Sequence, residues 1–256
     1  MQIASAILNE EKPSSNKTLS SAAILYQHSF NYYHWFEHLL KLRGIIEYET
    51  RTGEDVKLII PSNPPRFILE SLDLMGFGEN KRVQWDGGKM QVNSLIVPSF
   101  PEPTPSSIMW VRQRMADQIS TKGGSSKWIY ISRQNVKNRQ VKNFEEISGV
   151  LQEYGVEIIA CEDLTIEDQV SLFKSVKGII GVHGAGLTNM VWADEVPVLI
   201  LFNRNINPLF NHLAEASGHD VKLFLGEAVG EADREINRDL IIDPEKFEQE
   251  IAKIVQ

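Results

Sequence analysis

Cysteine is nearly absent. Cys161 is the only one in 256 residues, which excludes an intrachain disulfide and leaves a small core side chain at an expected strand end. Positive charge is also scarce: Lys and Arg number 26 against 34 Asp and Glu, a formal net charge of -8. The chain as a whole therefore has no attraction to nucleic acid or to an anionic membrane, and any anionic ligand must be met by cations gathered in one place. No apolar run approaches the ~18 residues needed to cross a bilayer, so no transmembrane segment is expected. The N-terminus lacks a basic stretch followed by an apolar one. No signal peptide is expected, and the expected location is cytoplasmic, free or peripheral to a membrane.

What is present is enough core for one large or two small domains, with 42% hydrophobic residues. Residues 1–19 are polar and read as a flexible segment. Ala22 to Tyr26 and Lys57 to Pro61 read as strands, and Arg82 to Trp85 and Gln91 to Val97 as strands around the turn at Asp86-Gly87-Gly88. Apolar positions from Asn31 to Arg43 follow helical spacing, and Pro64-Pro65 opens a helix ending at Gly76. Ser106 to Ile119 also reads as helical. The run from Thr121 to Ser126 is the clearest break, giving an N-terminal lobe over 20–120 and a C-terminal lobe over 121–256. Beyond it strands and helices alternate regularly: Trp128 to Ser132, Val156 to Ala160, Gly178 to Val182, Val196 to Phe202 and Val221 to Leu225, with helices between. Alternation of this kind means a parallel, doubly wound sheet. The expected fold is α/β, two Rossmann-like lobes facing a cleft.

The centre of the chain is the run from Lys177 to Met190. Gly178 to Val182 predicts a buried strand, His183-Gly184-Ala185-Gly186 a tight turn, and Leu187 to Trp192 the start of a helix. Glycines let backbone approach a ligand, and free N–H groups at a helix N-terminus favour an anion. His183 would stand at the carboxyl end of its strand, where open α/β sheets bind ligands. Thr188 and Asn189 add polar groups to the same turn, and Ser132 and Arg133 reach the same sheet edge, followed by Arg139 and Asn143. An arginine fork suits phosphate because it donates paired hydrogen bonds and keeps its charge; Lys137 reads as a solvated surface residue.

His34-Trp35-Phe36-Glu37-His38 allows two chemical meanings. It has the H-x-x-E-H order of an inverted zincin, with no evident third ligand. Alternatively, His34 or Glu37 is a general base facing the cleft from the first lobe. A structural reading, in which the aromatics are core and the histidines flank them, also stands.

Asn31-Tyr32-Tyr33-His34-Trp35, Tyr130-Ile131-Ser132-Arg133 with Arg139 and Asn143, Asp168-Gln169, and above all His183-Gly184-Ala185-Gly186-Leu187-Thr188-Asn189 resemble glycosyltransferase family 61. The similarity is to microbial members labelled capsular polysaccharide biosynthesis proteins, and Val97-Pro98-Ser99-Phe100-Pro101 fits as well. The resemblance implies a two-lobed GT-B fold and inverting transfer from a nucleotide-diphosphate sugar to a glycan or lipid-linked acceptor. It also implies a donor site in the second lobe and no cofactor. Two positions depart from the pattern: Leu40, where a proline is common, and Ile200, where a glutamate is common. The second keeps open a catalytically inactive sugar-nucleotide binder; a zinc hydrolase on His34, Glu37 and His38 is the remote alternative. No Asp-x-Asp pair occurs to hold a metal, so neutralisation of the leaving diphosphate would fall to Arg133, Arg139, His183 and the helix start at Leu187.

Overall fold

Short apolar runs separated by helix-forming stretches become parallel strands, because a parallel neighbour can be reached only by a crossover. A computed structural model describes residues 18–25, 30–99, 101–117, 119–120 and 127–255. The chain divides into two compact units, Met1–Pro101 and Glu102–Gln256.

In the first unit, β1 (Thr18–Ile24), β2 (Val56–Pro61), β3 (Arg82–Trp85) and β4 (Gln91–Ile96) form one parallel sheet in the order β3-β2-β1-β4. Thr18 and Leu19, assigned to the flexible segment by sequence, pair with Gln91 and Val92, because Leu19 belongs to the core with Ala22, Ile59 and Val83. The strands flanking Asp86-Gly87-Gly88 lie at opposite edges of this sheet. Residues 1–17, Tyr26, Phe100 and the Thr121 to Ser126 run lie outside the described residues.

Helix α1 (Tyr32–Thr52) starts where the Asn31 side chain accepts from the backbone N–H groups of Tyr33 and His34, at 2.9 and 3.4 Å. It continues past Arg43, where the sequence pattern stopped it, because Ile45 extends the buried stripe. Gly53 ends it with a left-handed φ of 72°. The buried Trp35 indole donates to Ser71 Oγ at 2.7 Å, pinning α1 to α2 (Arg66–Leu74).

The second unit opens with α3 (Pro105–Met115), whose first turn is closed by a Thr104–Ser107 capping box. By sequence this helix was placed with the first lobe; its contacts assign it to the second unit. Arg112 pairs with Asp194, and Lys174 Nζ donates to the carbonyls of Ala116 and Ile119 at 2.7 and 2.8 Å. Strands β5 (Trp128–Ile131), β6 (Glu157–Ile159), β7 (Gly178–Val182), β8 (Pro197–Phe202) and β9 (Asp220–Leu225) make a parallel sheet ordered β6-β5-β7-β8-β9. On one face, Tyr130, Ile180, Val182, Leu199 and Leu201 pack with α4 (Phe144–Glu153) and α7 (Pro244–Ile254) through Ile147, Leu151, Phe247 and Ile251. α3, α5 (Ile166–Phe173) and α6 (Leu209–Ala216) contact the segment Ala185–Trp192. That segment is a helix of the 3₁₀ type, which starts at Ala185, two residues before the expected Leu187; Leu187 through Trp192 are buried in it. A small antiparallel ribbon of β10 (Glu227–Val229) and β11 (Asp239–Ile241) was not anticipated.

Candidate functional site

The strand order of the second sheet places a topological switch point between β5 and β7. From β5 the chain leaves through α4 to the edge strand β6, and from β7 it leaves the other way to β8. A crevice at the carboxyl ends of two such strands is where open α/β sheets hold ligands. Arg133 follows β5 and His183-Gly184 follows β7, so the two motifs singled out in the sequence converge here.

The fit between them is close. A Cβ built on Gly184 would fall on Arg133 Nη1 and lie 2.8 Å from its Cζ. Gly184 has an extended backbone, φ 168°, so glycine is needed for room and not for its dihedral freedom. The Arg133 guanidinium lies over this bare backbone, and its Nε and Nη2 donate to the Asn138 carbonyl at 3.3 and 3.0 Å. Gly186 serves packing instead: a Cβ there would meet Ile131 Cγ2 at 2.9 Å. The expectation that both glycines clear space for a ligand is thus corrected, since protein atoms occupy the space each one leaves.

Arg139 brings a second cation. Its backbone is left-handed, φ 61°, an uncommon conformation for a residue with a side chain and one that concentrates at functional sites. Burial, followed by the charge of Arg139, holds the Arg133 guanidinium down at about 10, and burial lowers Arg139 as well. His183 is 6% exposed, stacked on Phe202 with ring centroids 5.1 Å apart and edge-on to Phe210 at 5.1 Å. Burial, with the charges of Arg139 and Arg133, pushes its imidazole down to about 4, so it is neutral at physiological pH. Arg139, His183, Phe202, Asn203 and Asn205 line a narrow hollow too tight to admit a water molecule. Among the described residues, Tyr130 Oη, Arg139 Nε, His183 Nδ1 and Thr188 Oγ1 are buried without a hydrogen-bond partner in the protein. All four stand on β5, β7 or the segments that follow them. Two neighbouring cations, one of them with an unmet donor, thus stand at the end of one strand, an arrangement suited to an anion.

Other residues proposed from the sequence have structural tasks. Asn143 donates to the Ile242 carbonyl at 2.7 Å and accepts from the Ile242 N–H at 3.1 Å, which ties the end of the β5–α4 loop to the chain before α7. Asn189 is fully buried, donating to Gln169 Oε1 at 2.7 Å and accepting from the Trp192 indole at 3.1 Å. Leu187 and Thr188 are buried, whereas Ala185 is partly open. Direct ligand contact from Asn143, Leu187 and Asn189 is replaced by a supporting role, because their polar groups or surfaces are already taken. Lys137 is exposed, as expected. Asn203 was missed. It donates to the Arg238 carbonyl at 2.7 Å and the Glu235 carbonyl at 3.1 Å, fixing the loop beside the hollow. Its place immediately after β8 was the available signal.

In the first unit, His34 Nδ1 lies 2.8 Å from Glu37 Oε2. His38, by contrast, is buried with its ring 5.7 Å from that of Trp35. The two histidines of the H-x-x-E-H motif therefore sit in different surroundings. Among the described residues no group of three His, Cys, Asp or Glu side chains is placed to hold a metal. No helix is long and apolar enough to cross a membrane, again among the described residues.

Among curated proteins, none matches the chain. Several solved structures are similar, among them two glycosyltransferases. One is the iron-containing dodecameric glycosyltransferase TibC from enterotoxigenic E. coli H10407, 10% identical over 84% of this chain and 67% of that one, with a TM-score of 0.41. The other is the E. coli heptosyltransferase WaaC with ADP-2-deoxy-2-fluoro heptose, 8% identical over 91% of this chain and 99% of that one, with a TM-score of 0.43. At scores this low neither likeness carries an argument. The family model for Glycosyltransferase 61 matches residues 32–200, about two thirds of the chain, including α1, the Arg133 loop and the whole glycine turn. The chain belongs to the glycosyltransferase 61 family and is a glycosyltransferase.

Proposed function

We propose that this glycosyltransferase moves a sugar from a nucleotide-diphosphate donor to a hydroxyl of a glycan or lipid-linked acceptor, with inversion, in surface polysaccharide or glycoconjugate synthesis. The observation that carries the reading is the pair Arg133 and Arg139 beside the neutral His183 at the switch point of the second sheet. In an acidic protein, two adjacent, partly buried cations, one of them with an unmet donor, suit a multiply charged anion, and a diphosphate supplies one. During transfer the acceptor oxygen attacks the anomeric carbon and the bond from that carbon to the diphosphate breaks, its electron pair leaving with the phosphate. Arg133 and Arg139 stabilise the charge that develops there, and a hydrogen bond from or to the His183 ring orients the group. Because no Asp-x-Asp pair occurs in the sequence, this charge stabilisation is assigned to protein cations. The acceptor proton goes to a general base, for which the sequence offers His34 or Glu37.

Nucleoside diphosphates should raise the melting temperature of the protein, since a ligand that binds only the native state stabilises it. Substituting Arg133 by Ala should remove that shift. A second reading, a sugar-nucleotide binder without activity, is favoured by Ile200, a fully buried aliphatic residue where family members commonly carry glutamate. Release of nucleoside diphosphate from a bound donor separates the two: release supports the transferase, and binding without release supports the second reading.

A further inference from the structure

The segment between β8 and α6, Asn203-Arg204-Asn205-Ile206-Asn207-Pro208, leaves the carboxyl edge of the second sheet one strand away from His183. Two of its asparagines build it. Asn203 donates to the Glu235 and Arg238 carbonyls and accepts from the Asn205 N–H at 3.4 Å. Asn207 Oδ1 accepts from the Leu209 N–H at 2.9 Å, at the start of α6. The residues between them are free of such tasks. Asn205 lines the hollow together with Arg139 and His183. Among the described residues, neither its side-chain amide nor the Arg204 guanidinium has a partner. Arg204 is exposed and has a left-handed backbone, φ 74°, a conformation that glycine adopts far more readily. Ile206 is 50% exposed beside them. A single exposed isoleucine is ordinary. An idle amide, an unpaired arginine held in a disfavoured backbone and an exposed apolar side chain, all consecutive, do nothing for the fold. Departures of this kind concentrate at ligand sites, and this one lies at the edge where open α/β sheets bind ligands.

Resting on the donor reading above, we infer that Arg204, Asn205 and Ile206 form the subsite for the nucleoside of the donor, the two polar side chains bonding the base or ribose and Ile206 covering a face of the base. The orientation follows from the strand ends on either side of the diphosphate position at β5 and β7. On the β6 side, Glu162 is exposed and its charge acts on Arg133; a carboxylate repels phosphate and accepts from sugar hydroxyls. On the β8 side the chemistry is that of a nucleoside. An amide offers a donor and an acceptor together, as base edges require, and an arginine donates to a base carbonyl or a ribose oxygen. An apolar side chain suits the ring face. Neighbouring strands lie about 4.8 Å apart, so the step from β7 to β8 matches the reach from a phosphate to its ribose.

Calorimetric titration with two probes separates the nucleoside from the phosphates. Inorganic pyrophosphate reports on Arg133, Arg139 and His183 alone. Whichever of UDP, GDP, ADP and CDP binds the native chain best reports on both parts. The native chain should bind that nucleotide at least about 10-fold more tightly than pyrophosphate. Asn205→Ala and Arg204→Gly should each weaken nucleotide binding by about 5- to 10-fold and leave pyrophosphate binding nearly unchanged, whereas Arg133→Ala should weaken both. Arg204→Gly should unfold at the same or a higher urea concentration than the native chain, because glycine suits the left-handed backbone; its lost affinity is then not a lost fold. Equal affinity of the native chain for pyrophosphate and the nucleotide overturns the nucleoside subsite and leaves the diphosphate site in place. Full nucleotide affinity in both variants, or an equal loss for the two probes, overturns it as well. If neither probe binds the native chain, the donor reading fails and the subsite fails with it.

Discussion

Gly184→Ala tests the anion site at its tightest point. The added methyl would fall on Arg133 Nη1, 2.8 Å from Cζ, so the guanidinium must leave its place over the turn. Because the backbone at residue 184 is extended, the substitution brings no dihedral strain. The loss is confined to the position of the arginine and to its two donations to the Asn138 carbonyl. A displaced charge-assisted contact removes on the order of 1.5–3 kcal/mol of binding, roughly a 10- to 150-fold rise in Kd. Gly186→Ala makes the opposite comparison. Its methyl would press on Ile131 Cγ2 at 2.9 Å, inside packed core, and overpacking of this kind costs about 1–3 kcal/mol of stability. Calorimetric titration with the nucleoside diphosphate that binds the native protein best, alongside urea unfolding of both variants, gives the four numbers needed. Gly184→Ala should lose affinity and little stability; Gly186→Ala should lose stability and little affinity. Native affinity in a folded Gly184→Ala protein would refute the placement of Arg133 at the ligand.

Arg133→Ala should weaken nucleotide binding far more than Lys137→Ala, by on the order of 1.5–3 kcal/mol for the first and little for the second; equal affinities would remove Arg133 from the site. Stability should fall as the pH drops from about 6.5 to about 4. His183 is neutral in the native state down to about 4 but takes a proton near 6.5 when unfolded, so the unfolded chain binds more protons throughout that window. Its share approaches ~3 kcal/mol, and His219, also lowered by burial, adds to it. Urea midpoints that stay level between about pH 7 and about pH 4.5 would contradict this. Donor turnover should persist in EDTA, since the leaving charge is assigned to protein cations; activity lost to EDTA and restored by a divalent metal would show that those cations are insufficient.

The second unit was legible because its strands are fully buried, short and evenly separated. The run Gly178 to Val182 has no polar residue to confuse the pattern, and Gly155 and Gly218 mark chain reversals with left-handed φ values of 67° and 84°. The first unit was less so. Thr18 and Leu19 look polar and loose in isolation, yet Leu19 is core because Ile59 and Val83 come from far along the chain to cover it. Gly44 sits inside α1 without ending it, since the tertiary contacts of Ile45 outweigh the ~1 kcal/mol propensity deficit of a helical glycine. The α3 boundary was missed for a related reason. The glycine- and serine-rich break follows that helix, but Lys174 and Asp194, which hold it, lie beyond the break.

At the site itself, composition located the elements but not the direction of the side chains. Arg133, His183 and Gly184 were legible together because a strand end and a small-residue turn leave few ways for them to lie. Asn143 and Asn189 have the same polar chemistry and sit in the same stretches, yet their amides turn inward to Ile242 and to Gln169 and Trp192. Nothing local distinguishes an amide that faces a ligand from one that satisfies buried backbone; that choice is made by partners far off in sequence. The same holds for the two glycines, where the difference between clearing room for Arg133 and clearing room for Ile131 depends on which strand-end side chain lies opposite. The H-x-x-E-H run shows the consequence for chemistry. Its metal-binding reading required two histidines in equivalent surroundings, but Trp35 draws His38 into the core and leaves His34 at the surface with Glu37. A motif read by spacing alone assigns both histidines one role; burial splits them and leaves only His34, with Glu37 at its Nδ1, free to meet a substrate.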